Sequence, residues 1–522
     1  MWKTRTTKTS SGKTAVQIVE RSNHKTRIIK HVGSVETADK EKLAKLLDIA
    51  ERYIIQKDIC APIFPEIIYG TKYLDTKKRS FVSIDDLEFN SFYHLFAHEF
   101  LSSFYERNGF ENLNNRLLKD LAIMRIIEPA SKLRSVELIN RYFGFGYTKN
   151  IVYKNLRKLV KLKLQAEELA INYAKKYLAF DFSIVFYDVT TLYFEAFEND
   201  ADVGEVKGLR KCGFSKDGKS NQPQVLIALV VNSDGYPIAS DIFEGNTYEG
   251  HTILPAVLAL KSKYNIGNLT VIADAGMLSA KNMGELVANG LNYIVGARLA
   301  NINGELLESI SKELNAQPDI YVKKETPLGY LICDYSIKRA SKDKSDRDKQ
   351  LAKASSKIAN PATLTRKPRF VKEVTPSEYI LDLELVEKDK LLDGLKGYYT
   401  SLRDVNESLI VKRYKDLWKV EKPFRIAKTD LCARPIFHRK RESIEAHILI
   451  VFVSLCVTKS IELFTKYSIQ KIRDLIWDVL DVSCTDNLTK QSFTKRTNNI
   501  PEEISEIRNS LKNPPQNPQN AY

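Results

Sequence analysis

Apolar and polar positions alternate at the start of the chain. Thr14-Ala-Val-Gln-Ile-Val and Thr26-Arg-Ile-Ile-Lys-His-Val flank the polar stretch Arg21-Ser-Asn-His-Lys25, which predicts a β-hairpin. Leu43, Leu46, Leu47, Ile49, Ile54 and Ile55 then recur near a helical period, predicting a helix over about 36–60. The helical pattern is almost unbroken from 91 to 178. From 181 to 300 the period shifts to that of strands, and the order becomes β-β-β-α-β-α-β. Phe182–Thr191, Gln224–Asn232 and Pro237–Phe243 form a predicted antiparallel meander whose second turn carries the Asp-Gly signal of Ser233-Asp-Gly-Tyr. A helix over 252–264, a strand ending at Asp274, a helix over 280–289 and a strand at Tyr293-Ile-Val-Gly follow.

Between 301 and 390 the pattern breaks. Two short strand-like pieces precede a stretch from Lys338 to Lys357 that holds eight Lys or Arg and three Asp. This segment reads as an insertion. Strand-like alternation returns near 379–385 and 397–402, and helices carrying Glu421 and then Ser443–Phe464 close the core. A polar, Pro-rich tail over 507–522 is expected to be disordered. The expected division is therefore 1–90, a β-hairpin and helical region; 91–180, a helical DNA-binding region; 181–300 with 391–483, an α/β (α+β) catalytic domain; 301–390, a β-rich insertion; and 484–522, a partly disordered tail. In the second region, short helices joined by polar turns such as Glu128-Pro-Ala-Ser-Lys-Leu-Arg134, with Lys and Arg outside, fit a helix-turn-helix array. An ordinary helical bundle with a basic exterior fits the same pattern.

Charge narrows the partners. The 522 residues carry 80 Lys and Arg against 65 Asp and Glu, a net +15, which favours a polyanion such as nucleic acid or an acidic membrane surface. No basic amphipathic helix with a wide apolar face stands out, which disfavours the membrane. The longest apolar run, Ala446–Val457, is 12 residues and contains His447 and Ser454, and the basic N-terminus has no apolar stretch behind it, so a cytoplasmic protein is expected. Six scattered cysteines without a CxxC predict neither a zinc site nor a disulfide framework.

The candidate chemistry lies in three carboxylates. Asp188 interrupts the apolar run Phe182-Ser-Ile-Val-Phe-Tyr-Asp-Val, and Asp274 ends Leu269-Thr-Val-Ile-Ala-Asp. Glu421 follows in Tyr414-Lys-Asp-Leu-Trp-Lys-Val-Glu-Lys-Pro-Phe-Arg-Ile-Ala-Lys428. Carboxylates gathered from distant segments suit hard divalent cations that keep sites open for a substrate phosphate. A meander leading into parallel strands, with one carboxylate on the first strand, one on the fourth and a third on a later helix, is an RNase H-like plan: a mixed five-stranded sheet with flanking helices. Tyr414, Glu421, Arg425 and Lys428 recur at helical spacing, so one continuous helix would present a phenol, a carboxylate and two cations on one face. Pro423 predicts a kink or a restart of that helix at Glu421.

On these residues the chain resembles the DDE transposases of bacterial insertion sequences, in the branch whose signature is Tyr, two residues, Arg, three residues, Glu, six residues, Lys. Tyr414, Glu421 and Lys428 fall at the signature spacing, while Leu417 occupies the Arg position. The resemblance runs from the opening hairpin to about residue 480, and an insertion of about 90 residues before the Glu matches the branch. It implies that Asp188, Asp274 and Glu421 hold two Mg²⁺ or Mn²⁺ ions, and that Tyr414, Arg425 and Lys428 grip DNA phosphates. It also implies double-stranded DNA as partner, a homodimer on the element ends, terminal-repeat binding, strand cleavage and strand transfer at the nucleoid. A nuclease of the same fold without strand transfer, or an inactive DNA-binding derivative, are the alternatives.

Other polar residues read less sharply. Asp181, Asp241 and Glu244 fit strand ends and turns. Lys207, Arg210 and Lys211, with Lys216 and Lys219, form a basic loop suited equally to solvent or to DNA contact. Lys216-Asp-Gly-Lys-Ser220 lacks the upstream glycine of a phosphate loop and is excluded as a nucleotide site. His438 and His447 read as structural, and Trp418, Phe424, Ile426 and Ile436 as packing, with base stacking the alternative for Trp418.

Overall fold

The computed structural model describes residues 2–22, 25–59, 87–202, 204, 207–215, 218–277, 279–360, 368–375, 378–487, 490–497 and 499–512. Its contacts divide the chain into two units, one of residues 1–103, 136–148 and 467–522, the other of residues 104–135 and 149–466.

Strands are numbered in chain order. In the first unit β1 (Trp2–Lys8), β2 (Thr14–Ser22) and β3 (Lys25–Val35) form an antiparallel sheet, so the predicted hairpin is present as β2–β3. β1 is an addition; its run Trp-Lys-Thr-Arg-Thr-Thr-Lys has too few apolar residues to show a period, and the ladder from Trp2↔Glu20 to Lys8↔Thr14 holds it. The helix Lys40–Ile59 packs Leu43, Leu46 and Leu47 on buried Val16 and Ile18. Where the pattern reads as helix from 91, the chain instead forms β4 (Leu87–Tyr93), paired with β15 (Asp481–Asp486), which in turn pairs with β16 (Gln491–Arg496). Arg496 ties this sheet together by donating to Asp481 at 2.9 Å and to Glu99 at 2.8 Å.

The second unit is built on an eight-stranded mixed sheet. β5 (Ile184–Tyr193), β6 (Gln224–Val231) and β7 (Pro237–Glu244) are the expected antiparallel meander, and β8 (Thr270–Ala273) and β9 (Asn292–Ala297) extend it in parallel on the other side of β5. The expected five strands become eight. β14 (Leu395–Thr400) pairs with β9, β11 (Gly329–Tyr335) with β14, and β10 (Tyr321–Thr326) takes the edge. Part of the insertion therefore continues the central sheet, because Leu331, Ile332 and Cys333 of β11 are fully buried in it. The rest, including the helix Ile337–Ala359 and the pair β12 (Val371–Thr375) and β13 (Glu378–Leu381), closes over a small core of Ala354, Phe370, Val371 and Val386.

The 12-residue apolar run is the middle of a 25-residue helix, Arg441–Thr465. By length and hydropathy that helix could cross a membrane, but 78% of its most apolar window is buried inside the protein. A helix apolar all round is what a core position requires. It packs on the helix Arg116–Ile127, where Ser454 donates to the Ala122 carbonyl at 3.1 Å. Arg116–Ile127 is itself buried around its circumference, which leaves it no face for a DNA groove. The helix Trp418–Lys428 lies on β5 and β6.

Candidate active site

The sheet register sets two of the three carboxylates side by side. β5 and β8 pair in parallel through Phe186↔Ile272, and Asp188 and Asp274 each follow two residues later. Neighbouring strands lie about 4.8 Å apart, so the register brings the backbones of Asp188 and Asp274 to the same sheet level. Asp188 is half-buried between buried Tyr187 and Val189, and its Oδ1 accepts the Val189 N–H at 2.7 Å. Asp274 is exposed in the turn that ends β8, and its Oδ1 accepts the Ala275 N–H at 2.7 Å.

Tyr414, on the helix Glu407–Lys415, donates its hydroxyl to Asp274 Oδ1 at 3.2 Å. Gly296 on β9 makes room for it, since a Cβ there would lie 2.4 Å from the Tyr414 oxygen. Tyr398 packs on the other side of the ring, with centroids 4.9 Å apart. Burial above all, then the charges of Asp274 and Glu421, push the Tyr414 hydroxyl far above the ordinary phenol range. It therefore remains a neutral donor at physiological pH. Behind it, buried Asp334 accepts the Tyr398 hydroxyl at 3.1 Å and the Lys415 ammonium at 2.9 Å, which holds Tyr398 and the end of the helix that bears Tyr414.

Glu421 sits on a separate helix. The predicted single helix breaks at Asp416–Leu417, where tightened i to i−3 bonds run from Leu417 to Tyr414 and from Val420 to Leu417, and a new helix begins at Trp418. The restart thus comes before Glu421, and Pro423 lies inside the second helix. Lacking an N–H, Pro423 leaves the Lys419 carbonyl without its helical donor. Gly235, at φ +73° in the β6–β7 turn, approaches that carbonyl so closely that a Cβ would lie 2.6 Å from it. Leu417, Val420, Phe424 and Ile426 face the core, whereas Glu421, Arg425 and Trp418 are exposed on the other side. Trp418 is 56% exposed, so of the four predicted packing residues it alone stands outside, while Ile436 is 1% exposed.

Cations flank these carboxylates. Arg425 is exposed one turn beyond Glu421, and Lys428 borders β5 near Thr190 and Leu192. A groove of about 670 Å³ opens beside Asp274 and Tyr414, lined by Arg298, Arg339 and Lys396. Burial first, then the charge of Arg339, lowers the Lys396 ammonium from its ordinary value. Sequence reasoning missed Arg298 and Lys396. The available signal at Arg298 is a cation directly after the apolar strand Tyr293–Ala297, the same kind of interruption that marked Asp274.

In the basic loop two of the cations have partners within the loop. Arg210 bonds Asp200 at 2.7 Å and Lys211 bonds Asp202 at 2.8 Å, so these two cations build the loop from within, while Lys207 is exposed. Lys216 lies outside the described residues. Asp181 caps Ser183 at 2.9 Å, Asp241 pairs with Lys163 at 2.6 Å, and Glu244 accepts from Thr247 at 3.1 Å, each a structural partnership. As placed, the carboxylates form an open array: among the described residues no three His, Cys, Asp or Glu side chains converge closely enough to enclose an ion. Their hard oxygen donors nevertheless suit a divalent cation that is shared with substrate.

Among curated proteins none matches this chain. A solved structure, the cryo-EM piggyBac transposase synaptic complex with hairpin DNA, aligns over 82% of this chain and 86% of that one at 11% identity. Its TM-score of 0.34 makes the likeness too loose to carry an argument. Residues 181–457, which span β5, β8 and the Glu421 helix, match the transposase DDE domain family. That match covers more than half of the chain and contains all three carboxylates, and by it the chain belongs to the DDE transposase family and is a DDE transposase enzyme.

Proposed function

We propose that this transposase is that of a bacterial insertion sequence, and that it binds terminal inverted repeats, cuts DNA at the element ends and joins the freed ends to a target. The observation that carries the reading is the parallel register bringing Asp188 beside Asp274, with Tyr414 bonded to Asp274 and also subject to the charge of Glu421. The meander β7-β6-β5 followed by parallel β8 and β9 supports an RNase H-like core.

Transposases of this family use divalent metal ions. In our reading Asp188, Asp274 and Glu421 hold two ions, Mg²⁺ or Mn²⁺. Such ions supply activation of an attacking oxygen and stabilisation of the leaving 3′ oxygen. Tyr414 orients Asp274 and presents a donor that does not ionise. Arg298, Lys396, Arg425 and Lys428 bind phosphates along the groove and the helix, which positions the DNA backbone without reading its sequence. Two copies act on the paired element ends, in the cytoplasm.

The test is metal-dependent cleavage and joining of a plasmid carrying the repeats that flank the gene. Glu421→Gln should keep DNA binding and lose both products. Nicking without joined products would instead describe a nuclease. Binding without cleavage by either protein would describe an inactive derivative, for which Leu417 in the signature's Arg position is the relevant departure; its side chain is 9% exposed and packs inside.

A further inference from the structure

Beyond the carboxylates, the loop that follows the Glu421 helix borders a second cavity, of about 530 Å³, whose wall includes Arg125, Lys132, Tyr153, Arg434, His438 and His447. Arg125, Lys132 and His447 are 3%, 4% and 4% exposed. Arg125 donates Nη1 to the Leu431 carbonyl at 2.7 Å and Nη2 to the Ala130 carbonyl at 3.2 Å, which secures the end of the Glu421 helix, yet its buried Nε has no partner. His447 Nε2 lies 2.9 Å from the Ala433 carbonyl. A carbonyl only accepts, so Nε2 carries the proton and Nδ1 is left as an acceptor. Lys132 Nζ lies 3.3 Å from that Nδ1 and donates to it. One of the three ammonium hydrogens is thereby used, and among the described residues no hydrogen bond to a protein acceptor engages the other two. Among the described residues no carboxylate pairs with either Arg125 or Lys132, and burial first, then the charge of Arg125, opposes a proton on Lys132.

Burying a cation without a counter-ion is costly, and such groups are ordinarily paired. Here the missing negative charge has a place to sit. We propose that this cavity binds a phosphate group, held by the free hydrogens of Lys132, the Arg125 edge and Arg434, with Tyr153 at the rim. The volume exceeds what a halide needs and admits a phosphate together with its attached sugar. The chemistry is shared by a DNA backbone phosphate and by free phosphate or a nucleotide; the former rests on the DNA-joining function proposed above. The cavity is tied to the carboxylate site through the chain: Ile436 donates its N–H to the Tyr193 carbonyl of the Asp188 strand at 3.0 Å.

Lys132→Met keeps the length of the stem and removes the charge, and two readouts test the site. Thermal midpoints in sodium phosphate and in sodium chloride at equal ionic strength should differ for the wild type and coincide for the variant. In chloride the variant should be at least as stable as the wild type, whereas a merely structural lysine would make it less stable. For duplex DNA, the slope of log K against log salt should fall by about one in the variant. A reduced slope assigns the phosphate to the DNA backbone; phosphate stabilisation with an unchanged slope assigns it to a free phosphate or nucleotide. Should Lys132→Met fail to fold, Arg434→Gln on the rim carries the same two readouts. No phosphate-specific stabilisation of the wild type together with an unchanged slope overturns the proposal. Failure of the wild type itself to cleave the plasmid would count against the carboxylate site and leave the phosphate arm standing.

Discussion

At the scale of single residues, Tyr414 and Gly296 act as a pair. The phenol donates to Asp274 at 3.2 Å, and a methyl group on Gly296 would fall 2.4 Å from the phenol oxygen. A hydrogen bond to a charged group contributes about 1.5–3 kcal/mol. Tyr414→Phe should therefore slow single-turnover cleavage by about 10- to 100-fold with the fold intact. Gly296→Ala should give a similar loss by displacing the hydroxyl, and should add little in the Tyr414→Phe background, where the clashing atom is gone. Strict additivity of the two changes would show that they act separately. Asp188 and Asp274 were legible in the sequence because a charge interrupts an apolar run, and the Tyr414 to Glu421 spacing was legible as a motif. Arg298 and Lys396 were not, since in a chain with 80 Lys and Arg a single cation carries no signal until the sheet brings it to Asp274.

At the scale of elements, the hydrophobic period located β5 to β9 and the long buried helix, but membership of a sheet depends on partners distant in sequence. β11 reads as a strand in isolation, and only its pairing with β14, some 60 residues on, makes it part of the central sheet rather than of a separate insertion. The broken helix is a similar case. Helical spacing is nearly preserved across Asp416–Leu417 because both residues keep right-handed backbone angles, so the pattern gives no sign of the restart. What settles the Glu421 helix is its seat on the β6–β7 turn, where Gly235 meets the carbonyl that Pro423 leaves open. Gly235→Ala adds both a left-handed backbone penalty and a contact of 2.6 Å with Lys419. It should lower stability by about 1–3 kcal/mol, measured as a shift in the urea midpoint. It should also reduce cleavage, since relieving the contact shifts the helix that bears Glu421. Unchanged stability would mean that the turn yields freely and does not seat the helix.

At the scale of the whole molecule, buried bases link stability to pH. In the unfolded chain an imidazole takes up a proton near its ordinary value of about 6.5. In the folded protein, burial first and then Lys132 and Arg125 hold His447 well below that value, and the same causes bring His438 down to about 4. The Ala433 carbonyl pulls His447 the other way without prevailing, and His438 adds its own opposition. As the pH falls through 6.5 the unfolded chain therefore binds protons that the folded protein does not, so folding stability decreases toward acid and is recovered above 6.5. Lys132, held well below its ordinary 10.5 by burial, acts in the same direction over the alkaline range and leaves a penalty already present at neutral pH. Urea midpoints measured in phosphate-free buffer between pH 7 and 5 should fall more steeply for the wild type than for His447→Gln, whose amide can still donate to the Ala433 carbonyl. The slopes should differ by up to about 1.4 kcal/mol per pH unit, one proton's worth. The other titratable groups are common to both proteins, so they drop out of the comparison. Equal slopes would mean that His447 is protonated in the folded state; its Nδ1 could then no longer accept from Lys132, and the arrangement that leaves the ammonium two hydrogens for a phosphate would be lost.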